Sequence, residues 1–283
     1  MSSLQVAKVL NNNVIIASHP HHGEVVVIGK GIGFNRKARD MIPASAAEKM
    51  FILTKPEEQE QYKQLVSHVD ERLIEAMNDI VMHAARASGT NLNEHIHVAL
   101  TDHIAFAMKR HRQGLFIHNP FLYETRELYP EEYRMAEYAV KTIHERLGID
   151  LGEEEAGLIT LHFHGALTNQ HVSEVRKHSE LIADLIHTIE SQLNLVIAKD
   201  TLDYSRLLTH LRFALERIRR GENVTETSSL DELLKREYPE TYSLAWKLTK
   251  MMEQRLKKPV YPAEVSYLTV HLERIIERNE HGD

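Results

Sequence analysis

Asp102-His103-Ile104-Ala105-Phe106-Ala107-Met108-Lys109-Arg110 and Thr209-His210-Leu211-Arg212-Phe213-Ala214-Leu215-Glu216-Arg217 are two copies of one segment. Ile159-Thr160-Leu161-His162 pairs in the same way with Leu268-Thr269-Val270-His271, and Leu128-Tyr129-Pro130-Glu131 with Glu237-Tyr238-Pro239-Glu240. The offset is 107 positions at the first segment and 109 at the other two. A unit of that length is far larger than a solenoid repeat and implies two homologous domains. Each copy has one histidine early and one late, 59 positions apart in the first and 61 in the second. Packing alone preserves an apolar rhythm after duplication; it has no need of the same imidazole twice.

Working outward, the rhythm is helical. Leu65, Val69, Leu73, Met77 and Ile80 form one apolar stripe, and Leu100, Ile104, Ala107 and Met108 another. The second copy of the latter is Leu207, Leu211, Ala214, Leu215 and Ile218. Asn119-Pro120, Tyr129-Pro130, Tyr238-Pro239 and Tyr261-Pro262 mark helix boundaries. The copies meet near Thr168-Asn169-Gln170. Ahead of them, Val6 to Leu10, Val14 to Ala17 and Glu24 to Ile28 are short β-branched runs, with Met50 to Leu53 as a closing strand. Asn11-Asn12-Asn13 and His19-Pro20-His21-His22-Gly23 supply turn chemistry between them. The stretch from Lys55 to Gln61 is a linker or a helix start. The expected architecture is a small all-β N-terminal domain (1–57) followed by two homologous all-α bundles (58–168 and 169–283). So small a sheet has little core and exposed edges, so it is expected to pair with a second copy of itself.

Composition bounds the function. Of 283 residues, 42% are apolar and 27% charged, ordinary for a soluble globular protein. No run approaches a membrane span, and the first residues lack a secretory layout, so a cytoplasmic protein without membrane insertion is expected. There is no cysteine, which removes disulfides, thiol chemistry and cysteine-based zinc sites. The net charge of −7 is uneven: residues 1–55 hold seven basic and three acidic side chains, a balance of +4. A basic head on an acidic body places any polyanion binding in the head, although such a patch also serves solubility alone.

Three readings compete for the repeated histidines. Each lies beside an apolar stripe, half accessible, where a histidine can simply cap a core hydrogen bond. Metal binding is suggested by His95-Ile96-His97 and His162-Phe163-His164, but His-x-His on a helix sets the rings about 200° apart. No HExxH or His-then-Asp dyad is present to support a metal-dependent hydrolase. The third reading is phosphorylation on nitrogen: a neutral imidazole is a good nucleophile near pH 7 and accepts phosphate from a phosphohistidine or phosphocysteine. The added charge beside Lys109-Arg110 or Arg217 can reorder a helical interface. This reading explains the duplication best, with no catalytic residue, cofactor or metal implied.

The chain resembles the transcriptional antiterminators of the sugar phosphotransferase system, built from a co-antiterminator RNA-binding domain and two regulation domains. Ala7-Lys8-Val9-Leu10-Asn11-Asn12-Asn13-Val14 and Gly29-Lys30-Gly31-Ile32-Gly33-Phe34 bear the likeness in the head. In the body it lies in the segments around His103, His162, His210 and His271, which look like the four phosphorylation sites of the family. Leu92 to His97 and Asn119 to Leu122 are similar to the glucose-responsive branch. The resemblance implies a homodimeric head that binds an RNA hairpin in the leader of a sugar-transport mRNA and blocks the overlapping terminator. It implies phosphorylation of the first regulation domain by the sugar permease (enzyme II), which switches the protein off. In relatives, the phosphocarrier protein HPr phosphorylates the second domain and favours activity.

The chemistry of the head agrees with an RNA target. A-form RNA offers a shallow minor groove, and its bulges expose base edges. Asn13 has donor and acceptor groups for such edges, and Lys8, Lys30, Arg36 and Lys37 can neutralise phosphates. Phe34 can stack on an unpaired base, while Gly29, Gly31 and Gly33 admit close backbone approach. Phe34 fits a small-core aromatic equally well, and the asparagine run also suits a tight hairpin turn, which is compatible with base contact. Thr209 replaces the acidic Asp102, His164 offers a competing acceptor beside His162, and Lys30 stands where an arginine fork is common. No role follows for the His19–His22 turn. The rival class is a DNA-binding activator with the same regulation domains, whose head would be helix-turn-helix rather than strands.

Overall fold

The computed structural model describes residues 3–52, 56–222 and 228–281. Five antiparallel strands open the chain: β1 (Ser3–Val9), β2 (Val14–His19), β3 (Gly23–Ile28), β4 (Met41–Pro43) and β5 (Lys49–Phe51). Their order across the sheet is β4-β1-β2-β3-β5. The three long strands are those expected; β4 is added because Ile42 pairs with Leu4 and closes the core. Leu53 and Lys55 lie outside the described residues. Both edges are strands of three residues, too short to template a further strand effectively.

The sheet has two buried faces, which departs from the thin core expected. Leu4, Val6, Ile15, Ala17, Val25 and Val27 pack against Ile32 and Ile42 of the same domain. Val14, Val26, Ile28 and Phe51 pack on the other face against Tyr62, Val66, Ile74 and Val98. The latter four belong to α1 (Pro56–His68), α2 (Glu71–Ser88) and α3 (Ile96–Arg112). Burial on both faces explains why β2 reads as an uninterrupted apolar run rather than an alternation.

Along the chain α4 (Leu122–Leu128) follows, and then α5 (Pro130–Leu147) and α6 (Gly152–Thr168) of the first bundle. The stripe read as one helix from Leu65 to Ile80 is broken: α1 ends at His68, and the Asp70 side chain caps α2 by accepting from the Arg72 N–H. The second copy holds α7 (Val172–Leu193), α8 (Leu202–Arg220), α9 (Ser228–Glu237), α10 (Pro239–Leu256) and α11 (Ala263–His281). The duplication extends to helix starts. Pro130 and Pro239 each occupy the first turn, and the preceding Tyr129 and Tyr238 have φ of −132° and −129°. The chain divides into two compact units, Met1–Leu122 with Tyr129–Val172, and Tyr123–Leu128 with Ser173–Asp283. Among the described residues no helix is long and apolar enough to cross a membrane.

Candidate functional site

In α3, His103 and Arg110 are seven residues apart, two turns along one helix face. In α6, Glu155 and His162 have the same spacing. The cores of these helices, Leu100, Ile104, Ala107, Ile159 and Phe163, are packed in one cluster, which brings the two faces together. The His103 and His162 rings lie 4.8 Å apart between centroids. His103 Nε2 lies 3.1 Å from Glu155 Oε2, and Arg110 donates to the other carboxylate oxygen. Glu155 is 2% exposed.

The second bundle repeats this arrangement on α8 and α11. His210 and His271 rings are 4.7 Å apart. His210 Nε2 is 3.4 Å from Oε2 of Glu264, itself 2% exposed. Arg217 donates to Glu264 through Nε at 2.9 Å and through Nη2 at 2.7 and 2.9 Å. His210, His271, Arg206, Thr209, Phe213 and Arg217 line a cavity of about 400 Å³.

The electrostatics follow from these contacts. Burial would raise the Glu155 carboxyl, but the hydrogen bond from His103 and the charges of His103 and Arg110 prevail and hold it below its ordinary range. Glu264 is likewise lowered, against burial, by His210 and Arg217. Burial pushes His162 well below the usual imidazole range, helped by His103, His95 and His171. His271 falls to about 4 through burial, His210, Arg274 and Arg206, against a smaller opposing pull from Asp203. Each late histidine is therefore neutral at physiological pH and keeps a nitrogen lone pair.

The extra imidazole His164 is not in the pair. Its Nδ1 is 2.9 Å from Glu132, and its ring lies against Tyr129 at 4.1 Å. Among the described residues no three His, Asp or Glu side chains gather closely enough to hold a metal ion.

In the head, Lys8, Lys30, Phe34, Arg36 and Lys37 are exposed, Phe34 at 62%. Asn13 is not: at 7% exposure it accepts from the Gly31 N–H at 2.7 Å and donates to Glu75 of α2 at 2.6 Å. Asn12 donates to both oxygens of Glu71, at 3.3 and 3.2 Å. Asn13 thus ties the asparagine turn to the glycine loop. Gly29 and Gly33 are buried, and their close approaches are internal: a Cβ would stand 2.6 Å from the Ala46 carbonyl and 2.2 Å from that of Asn11. Gly31 is exposed, with φ +67°. His19 and His22 stack at 4.7 Å in the hairpin turn.

Residues 4–60 match the CAT RNA binding domain, and residues 78–166 and 183–275 each match the PRD domain. The chain is 50% identical over 273 residues to the PtsGHI operon antiterminator of Bacillus subtilis (strain 168), covering 96% of this chain and 97% of that one. The chain belongs to the CAT–PRD family of transcriptional antiterminators. This antiterminator is also 39% identical over 286 residues to the GlcA/glcB genes antiterminator of Staphylococcus carnosus (strain TM300), covering 99% and 98% of the two chains. The crystal structure of GlcT CAT-PRDI superimposes with a TM-score of 0.55 at 54% identity, over 59% of this chain and all of that one.

The sequence reading of this antiterminator missed Glu155 and Glu264. A signal existed: each copy has a glutamate seven residues before its late histidine and an arginine seven after its early one. The glutamate was hidden in the first copy among Glu153-Glu154-Glu155, which reads as a charged first turn favourable to the helix dipole.

Proposed function

We propose that this antiterminator works as a homodimer, clasping an RNA hairpin in the leader of a glucose-permease transcript and keeping the terminator from forming. Lys8, Lys30, Arg36 and Lys37 supply phosphate contacts, Phe34 a stacking face, and Asn13 with Gly29 the loop geometry that presents them. His103, His162, His210 and His271 are its phosphorylation sites, the first pair served by the sugar permease and the second open to HPr. It acts in the cytoplasm as a regulator, not as an enzyme, and needs no metal or cofactor. The domains are the head (1–57) and two regulation domains (58–168 and 169–283).

The observation behind the control by phosphate is the repeated cluster: two close imidazoles, a buried carboxylate and an arginine, in both bundles. A merely structural histidine does not need a neutral, half-accessible neighbour of its own kind. The bonds from Asn12 and Asn13 to Glu71 and Glu75 give the first bundle a direct hold on the loop of the head. A gel-shift with full-length protein and the leader hairpin tests the RNA role, since no retardation at moderate salt defeats it. Labelling by the permease domain tests the sites: His103→Ala with His162→Ala abolishes incorporation into the first regulation domain.

A further inference from the structure

The reading of His103 and His210 as phosphate acceptors leaves open which ring nitrogen takes the phosphate, and the geometry points to an answer that rests on that reading. Glu155 and Glu264 act as positioning residues: each carboxylate faces the Nε2 of its histidine and keeps the proton there, so that the phosphate goes to Nδ1.

The argument starts from protonation. Glu155 is ionised and buried, and an ionised carboxylate only accepts hydrogen bonds. His103 Nε2, 3.1 Å away, must therefore carry the proton. A neutral ring with its proton on Nε2 has its lone pair on Nδ1. The second bundle has the same arrangement, with His210 Nε2 3.4 Å from Glu264 Oε2, an ion-pair approach rather than a hydrogen bond. His210 Nε2 is buried without a hydrogen-bond partner among the described residues and faces Glu264, while the side chain as a whole keeps 12% exposure. Whatever reaches His210 from outside meets another edge of the ring. His103 likewise keeps 19% exposure, with Nε2 turned to a carboxylate that is 2% exposed.

Arg110 and Arg217 complete the device. Arg110 holds the oxygen of Glu155 away from His103, and Arg217 holds both oxygens of Glu264; each keeps its carboxylate charged and oriented. The logic inverts the hydrolase triad, in which a carboxylate holds Nδ1–H and frees Nε2. In the transfer step the Nδ1 lone pair attacks phosphorus and a P–Nδ1 bond forms. The P–N bond of a phosphohistidine donor, or the P–S bond of a phosphocysteine donor, breaks, and its electron pair leaves with the donor nitrogen or sulfur. Nε2 keeps its proton throughout, and the positive charge growing on the ring is met by the glutamate. No proton has to move.

The test uses full-length protein with His162→Ala and His271→Ala, so that label can reside only on the early histidines. It is phosphorylated by the phosphotransferase proteins and phosphoenolpyruvate, and the isomer is read in the folded state by proton–nitrogen correlation spectra. Nδ1-phosphohistidine is expected at both positions, and Nε2-phosphohistidine at either overturns the assignment. Wild-type protein is read in parallel: absence of any label there defeats the phosphorylation reading itself, whereas label there and none in the variant removes only the early histidines. Glu155→Gln and Glu264→Gln are expected to slow labelling at least tenfold and to yield mixed isomers. Slow labelling with an unchanged isomer ratio marks these glutamates as merely structural and sinks their positioning role.

Discussion

The two bundles place the same four groups in the same way, yet surround them differently. Around His162 the neighbours are imidazoles, His95 and His171, with His95 facing Glu58 at 3.5 Å. Around His271 they are guanidiniums, Arg206 and Arg274, with Asp203 opposing. By the repeat offsets, Arg206 corresponds to Ala99, Arg274 to Gly165, and His95 to Leu202. Arg217 also grips Glu264 through two nitrogens, where Arg110 donates through one. The shared part is the histidine pair with its carboxylate and arginine; the variable part is the charge around it. Arginine stays cationic at any physiological pH, whereas imidazole titrates near neutrality. Duplication kept the cluster and let its surroundings diverge.

The largest effect expected is from removing a buried carboxylate. Glu264→Ala leaves His210 and Arg217 facing an empty site and should cost about 3 kcal/mol in denaturant unfolding. Glu155→Ala should cost somewhat less, because its arginine contact is single; equal losses would erase the difference between the grips. Acid comes next. Unfolded histidine takes up its proton as pH falls past about 6.5, but folded His271 does so only near 4. Over that window the unfolded state binds more protons, so stability drains as pH falls and levels off below it. A full shift of that size is worth about 3 kcal/mol, screening at the partly exposed ring leaves on the order of 2 kcal/mol, and His271→Gln should flatten the slope in a pH series of thermal unfolding. The lowered Glu155 and Glu264 push the same way at still lower pH.

Smaller effects separate the head from both bundles. Phe34→Ala removes an exposed ring and should weaken hairpin binding by roughly 1 to 2 kcal/mol while leaving unfolding unchanged. A stability loss without a binding loss would return Phe34 to the core reading. Smallest is Arg206→Ala, expected to reduce phosphate uptake by the second bundle severalfold, under about 1 kcal/mol, with the first bundle unaffected. Equal reductions in both would break the contrast drawn above.

Much of this was legible in the sequence, because duplication repeats a pattern wherever it matters. The strand–helix division, the stripes of α3 and α8, and the proline-started α5 and α10 all follow from periodicity and from Pro. What escaped depends on partners distant in sequence. Asn13 offers an amide that suits RNA, but its donor is spent on Glu75, 62 positions away. The glycines of the head loop suggested space for a ligand; the structure fills that space at Gly29 and Gly33 with their own domain's carbonyls. The break at Asp70 was lost because Leu65, Val69 and Leu73 keep a helical spacing across it. His164 looked like a rival acceptor by adjacency alone, whereas two positions along a helix turn it to another face.

The most direct test of control by phosphate is hairpin binding by full-length protein before and after phosphorylation of the first bundle by the permease domain. The account predicts at least a tenfold loss of affinity, prevented by His103→Ala with His162→Ala. Unchanged affinity of protein shown by mass spectrometry to be phosphorylated at those residues would contradict it.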